Sequence, residues 1–168
     1  MDKKDLLKLV QQGGKNPEIR KFRIFGDADF IIDLRFLSRS EVTAMQKRNQ
    51  IMNCLLAKRG DEQLDEEGMR SDLCNTVIRG WKGLTPEVFR RIVYLDDEAY
   101  AIVSKEKEIP YSKEIAEMMM REGKANGVLF DMLILGIVTD PQNFSSGKLG
   151  DEVKNLPSSP DIGTTRKD

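Results

Sequence analysis

Apolar and polar positions alternate with a period of two in one part of the chain. Phe22 and Ile24 alternate with the charged residues Lys21 and Arg23. Beyond Gly26-Asp27-Ala28-Asp29, Phe30, Ile32, Leu34 and Phe36 fall on one face, with Ile31, Asp33, Arg35 and Leu37 on the other. Strict alternation around a Gly/Asp turn predicts a β-hairpin over about 21–37. Two strands are marginal by themselves in water, so the aromatic face must lie on helices or on another subunit.

From Ser38 onward the period changes to that of a helix. Ser38-Arg39-Ser40-Glu41 is a capping box, and the helix it opens runs to about Lys58, with Val42, Met45, Met52, Leu55 and Leu56 near one stripe. After the acidic stretch RGDEQLDEEG, Met69, Leu73, Val77 and Trp81 recur every four residues, joined by Cys74 and Ile78. That spacing predicts a second helix from near Glu67, ended by Gly80 and Gly83. Thr85-Pro86 supplies an N-cap and first-turn proline for a third, short helix carrying Val88, Phe89, Ile92 and Val93. The pattern over 85–108 is ambiguous, and Ala99–Val103 fits a strand. Pro110 and Ser112 announce another helix, which weakens at Gly123 and resumes near Asn126 to about Val138.

The expectation is a mainly α (α+β) fold, with four to five helices, a small N-terminal β-hairpin and a disordered C-terminal tail. One helical domain spans 19–142. Residues 1–18 are a flexible segment ending in a linker with Gly13, Gly14 and Pro17. Residues 143–168 are rich in Ser, Gly, Pro and charge and carry too little apolar surface to offset their ordering entropy.

Composition narrows the chemistry. The chain has no histidine, which removes the commonest general acid/base and the commonest metal ligand together. The 27 basic and 28 acidic side chains nearly cancel, so no global field draws in nucleic acid or a membrane. Cys54 and Cys74 lie inside apolar helical patterns, far from any metal-ligand spacing, and read as buried free thiols of a reducing compartment. Asp27, Asp29 and Asp33 read as turn and strand chemistry. The cluster Asp61, Glu62, Asp65, Glu66 and Glu67 lacks the ligand spacing of a calcium loop. No phosphate-binding glycine loop is present, and Gly147-Lys148 lacks the earlier glycine that one requires. No catalytic residue, metal site or cofactor is expected. The longest apolar run, VLFDMLILGIV at 128–138, is too short to span a bilayer and carries Asp131.

Two features point to binding. Arg20, Lys21, Arg23, Arg35, Arg39, Lys47 and Arg48 make the hairpin region basic, with aromatics between them. A nucleic-acid surface is the less favoured reading, because the aromatics are needed for the core. Three consecutive methionines, Met118, Met119 and Met120, wrap most of the way round a helix, and the run 128–138 exceeds a one-sided stripe. Each is either central to the core or covered by a partner. The candidate partner-binding residues are Met118, Met119, Met120, Leu129, Phe130, Leu133 and Ile137. Trp81, the only tryptophan, reads as a packed corner between two helices, flanked by Gly80 and Gly83.

The order of these signals resembles the small tail assembly chaperones of long-tailed bacteriophages and prophages. The carriers are LRFLSRSEV entering a helix, the GWKGL corner with Gly80, Trp81 and Gly83, and EIPYSKE with Ile109, Pro110, Tyr111, Ser112 and Glu114. The likeness spans roughly residues 20–140. It implies a non-catalytic protein of the bacterial cytoplasm that solubilises the tape-measure protein, brings it to the tail-tube protein and is absent from the mature virion. It also implies an extended frameshifted form, with which Gly147-Lys148 is compatible. Self-association is plausible from the exposed hairpin edges. The competing expectations are a small connector protein retained in a phage particle and a nucleic-acid-binding regulator.

Overall fold

A computed structural model of the chain describes residues 18–51, 63–144 and 154–155. The fold is α+β and mainly helical. The hairpin forms as its alternation requires: β1 (Ile19–Arg23) and β2 (Ile31–Arg35) pair antiparallel with Phe22 opposite Ile32 and Lys21 opposite Asp33. Helix α1 (Arg39–Arg48) follows, then the two-residue strands β3 (Gln50–Ile51) and β4 (Gln63–Leu64), α2 (Glu66–Val77) and β5 (Ile78–Lys82). Next come α3 (Pro86–Ile92), α4 (Asp97–Val103), α5 (Lys113–Glu122), β6 (Lys124–Ala125), β7 (Val128–Leu129) and α6 (Phe130–Thr139). A short strand β8 (Lys154–Asn155) returns to the sheet, whose order is β5-β2-β1-β8.

The helix caps sit where the sequence puts them. Ser38 and Glu41 close a reciprocal capping box on α1, and Asp65, Thr85, Asp96 and Ser112 each accept a backbone amide at the start of α2, α3, α4 and α5. α2 packs on α1, α5 and α6, and these helices cover the apolar face of the hairpin. Phe22, Ile32 and Leu34 from the strands meet Met45, Val77, Met119, Phe130 and Ile134 from the helices, all fully buried. Along α5 the buried positions are Ala116, Met119 and Met120, a single stripe at helical spacing.

The structure corrects the sequence reading in five places. α1 stops at Arg48, where Asn49 caps it, rather than at about Lys58. The second helix stops at Val77, and residues 78–82 form the third strand of the sheet, paired antiparallel with β2. Trp81 therefore continues the four-residue spacing of the helix only in sequence. Residues 97–103, whose pattern is ambiguous and fits a strand over Ala99–Val103, form a helix because Asp96 caps it and Asp97 and Glu98 occupy its first turn. Six helices result among the described residues, one more than the four to five expected. The weak point in the helical pattern at Gly123 is a complete break: a tight hairpin of β6 and β7 turns at Asn126 (φ 52°) and Gly127 (φ 78°). Positive φ at both central residues is what the Asn-Gly pair favours, a signal in the sequence that the helical reading passes over. Finally, Phe144 is buried and its ring lies 5.5 Å from that of Phe22 and 5.3 Å from that of Phe36, so the core runs past residue 142. The expectations for residues 1–17, for the far end of the first helix, Cys54, Asp61 and Glu62, and for most of the tail fall outside the described residues.

Candidate functional site

The two motifs GWKG and EIPY meet in space. β5 carries Trp81 to the edge of the sheet, and its indole Nε1–H donates to the Ile109 carbonyl at 2.9 Å. The Tyr111 ring lies edge-on to the indole with centroids 4.8 Å apart, and its hydroxyl donates to the Ile78 carbonyl at 3.3 Å. The Ile109 amide in turn donates to the Leu84 carbonyl at 2.7 Å, and the Gly83 amide to the Glu108 carboxylate. Phe30 of the first hairpin completes the cluster from the other side, with centroids 6.5 Å from Trp81. Gly83 has φ 74°, and a Cβ there would stand 2.1 Å from the Asp29 carbonyl oxygen. Gly80 faces Asp33 across the sheet, next to a bulge at Arg79. Pro110 links the two anchoring residues. The landmark residues thus form a packed joint between β5 and the segment ahead of α5. Burial lifts the Tyr111 phenol above its ordinary value, with a smaller push from the Cys74 thiol.

The expected partner-binding residues divide. Met119, Met120, Phe130 and Ile137 are buried in the core, which removes them from any surface. Met118 and Leu133 are partly buried against that core. Leu129 alone is exposed, at 51%, and it stands beside Val128 at 43% and Met132 at 57%, neither of which the periodicity singled out. For Val128 the signal was the Asn-Gly turn just ahead of it, which lifts Val128 and Leu129 out of the helix. α6 starts at this point without a side-chain cap, since Leu129 holds the N-cap position. Arg70 of α2 anchors the same end of α6 through Asp131, 3.1 Å away.

The basic hairpin carries its own counter-charges. Lys21 pairs with Asp33 at 3.2 Å, Arg23 with Asp29 at 3.6 Å, Arg35 with Glu41 at 2.6 Å and Arg48 with Asp72 at 3.3 Å, while Arg20 pairs with Glu18. Arg39 and Lys47 face solvent. Burial pushes the Glu41 carboxyl up, but hydrogen bonds from Ser38 and Arg35 outweigh it and hold the group below its ordinary value. Asp27, Asp29 and Asp33 are held by different cations: Asp27 takes Arg91 of α3 at 3.1 Å, whose guanidinium also lies 4.2 Å above the Phe25 ring. Among the described residues no group of three or more acidic or cysteine side chains is arranged to hold a metal ion.

Two concavities border these helices among the described residues. One of about 190 Å³ lies between α2 and α5, lined by Glu67, Arg70, Ser71, Glu117 and Arg121. There the Ser71 hydroxyl donates to Glu117 at 3.2 Å, and Asn75 reaches the same carboxylate, so the pair ties two helices together. The other, about 460 Å³, is an open groove lined by Arg35, Glu41, Met45, Arg48, Asn75 and Arg79. Cys74 is a buried free thiol whose pKa is pushed up to about 11 by burial, with the Glu117 charge adding to the effect, which makes it a poor nucleophile at neutral pH.

No helix among the described residues is long and apolar enough to cross a membrane. Comparison with known protein families, with curated proteins and with solved structures finds no match to this chain.

Proposed function

We propose that this chain is a non-catalytic holding protein of phage tail assembly, which keeps a tape-measure protein soluble in the bacterial cytoplasm and delivers it to tail-tube subunits. The observation that carries the reading is the cluster Val128, Leu129 and Met132, left in water at the uncapped start of α6. Contiguous exposed apolar side chains mark an interaction surface, and a flexible thioether adapts to varied partners. The cluster sits on a chain that is one-third charged, which keeps the holder itself soluble. The choice of partner rests on the resemblance carried by Trp81, Gly83 and Ile109–Ser112.

The test is co-expression of a helical tape-measure fragment with this protein or with a Leu129→Glu/Met132→Glu variant. The fragment should stay in the soluble fraction with the natural chain and pellet with the variant, while the variant's own thermal unfolding is unchanged. A fragment that pellets with the natural chain overturns the reading.

A further inference from the structure

We infer that Met132 is a site of reversible oxidation, where a peroxide converts the thioether to a sulfoxide and switches off the apolar cluster at the start of α6. The consequence for binding rests on the reading of Val128, Leu129 and Met132 as the holding surface. The site itself rests on how the methionines are buried. The chain has eight of them. Met45, Met119 and Met120 are at most 1% exposed, and Met69 and Met118 are partly buried against the core. Met1 and Met52 lie outside the described residues. Met132 is 57% exposed, the one described methionine that is neither buried nor partly buried. Oxidation follows exposure, so among the described thioethers Met132 stands open to attack. The Cys74 thiol does not compete: it is 2% exposed, and with a pKa of about 11 it offers almost no thiolate at neutral pH.

The chemistry needs only the peroxide as co-reactant. The Met132 sulfur attacks one peroxide oxygen, the O–O bond breaks, and the sulfur is oxidised by two electrons. The second peroxide oxygen leaves as water, or as an alcohol from an alkyl hydroperoxide. Reversal consumes two thiols: the sulfoxide oxygen departs as water and the thiols join as a disulfide. Methionine sulfoxide reductases carry out that step, one enzyme for each sulfoxide epimer.

Position decides what the change does. Met132 is the most exposed of the three side chains in the cluster. A sulfoxide there is polar and chiral, and an apolar face that covers it must strip its water without returning a hydrogen bond. The fold does not depend on this side chain. The core beside α6 is filled by Met119, Met120, Phe130 and Ile134, and the start of the helix is held by Asp131 on Arg70. Surface and core therefore respond to an oxidant separately.

The full chain is treated with limiting hydrogen peroxide and mapped by peptide mass spectrometry. Met132 should gain one oxygen on the order of tenfold faster than Met119 or Met120. The binding probe is a fluorescein-labelled synthetic helix of leucine, glutamine and lysine with one apolar face, followed by anisotropy. Oxidised chain should bind it on the order of tenfold more weakly than reduced chain, with an unchanged thermal unfolding curve. Both methionine sulfoxide reductases with dithiothreitol should restore the reduced affinity. In a Met132→Leu variant, peroxide should leave the affinity where it stood before treatment, which separates Met132 from oxidation at any other methionine. Equal oxidation rates at Met132 and Met119 overturn the site. Binding by the reduced chain that survives oxidation of Met132 overturns the switch and leaves the holding reading standing. A reduced chain that does not bind the probe removes both.

Discussion

Gly83 and Gly127 both turn the chain with positive φ, 74° and 78°, a few residues before or directly ahead of a helix, yet their surroundings are opposite. At Gly83 an added Cβ would press into the Asp29 carbonyl, and the following helix is capped by Thr85 with Pro86 in its first turn. At Gly127 nothing lies within 4 Å of that position, and the following helix has no side-chain cap. The first turn is a joint in which the end of β5, Asp29-Phe30 and residues 108–111 interlock. The second is a protruding tip, and the apolar residues after it stay in water. The same residue type at the same backbone geometry thus marks architecture in one place and accessible surface in the other; the space around it makes the difference.

The contrast breaks most visibly under a Gly→Ala exchange at each turn. Gly83→Ala should destabilise the protein by at least about 3 kcal/mol, since the backbone penalty is joined by a clash with main-chain atoms. Gly127→Ala should lose only the left-handed penalty, about 1–2 kcal/mol. Urea unfolding of the two variants measures this, and equal losses would mean that the Gly83 joint yields. Next in size is Trp81→Phe, which keeps most of the ring and deletes the donor to the Ile109 carbonyl. About 1–2 kcal/mol should disappear, the penalty of leaving a buried acceptor without its partner.

Leu129→Ser acts in the other direction. A serine at the N-cap position of α6 can accept a first-turn amide alongside Asp131 and should stabilise the chain by about 0.5–1 kcal/mol, while removing one apolar side chain of the proposed holding surface. A loss of stability instead would show that Leu129 packs rather than protrudes. The smallest effect belongs to Glu41. Its folded pKa lies below the ordinary 4.5, so its contribution is fully present above that value and disappears as the pH falls through the lower folded one. Because its side chain is 39% exposed, solvent screening limits the contribution to about 0.5 kcal/mol. A Glu41→Gln variant should flatten the acid limb of the stability profile by that amount.

The hairpin and three helix starts were legible because each is encoded within a few residues: strict alternation over 21–37, and Ser38, Thr85 and Ser112 ahead of α1, α3 and α5. The third strand was not. Val77 to Trp81 keeps the four-residue spacing of Met69, Leu73 and Val77, and the bulge at Arg79 destroys the period-two signal that a five-residue strand might have shown. Its identity is set by pairing with β2, some 45 residues earlier in the chain, which no local window contains. The methionine triplet illustrates the same limit. Periodicity established that three adjacent side chains cannot share one face, but only the position of α5 between α2 and α6 decides that Met119 and Met120 go inside. The exposed cluster was hidden for a related reason: a nearly unbroken apolar run reads as uniform until the Asn126-Gly127 turn divides it.

The tryptophan at the joint has a use beyond its contribution to packing. It is the only indole in the chain, and its partners Ile109 and Tyr111 lie 28 residues and more along the sequence. Its emission is therefore a single-site optical reporter of a non-local closure, set apart from the chain average that circular dichroism records. Helices should form on the microsecond scale, and the fluorescence change should lag behind them because the long loop must close first. A stopped-flow trace at this one chromophore times the moment at which the sheet edge locks onto the residues ahead of α5.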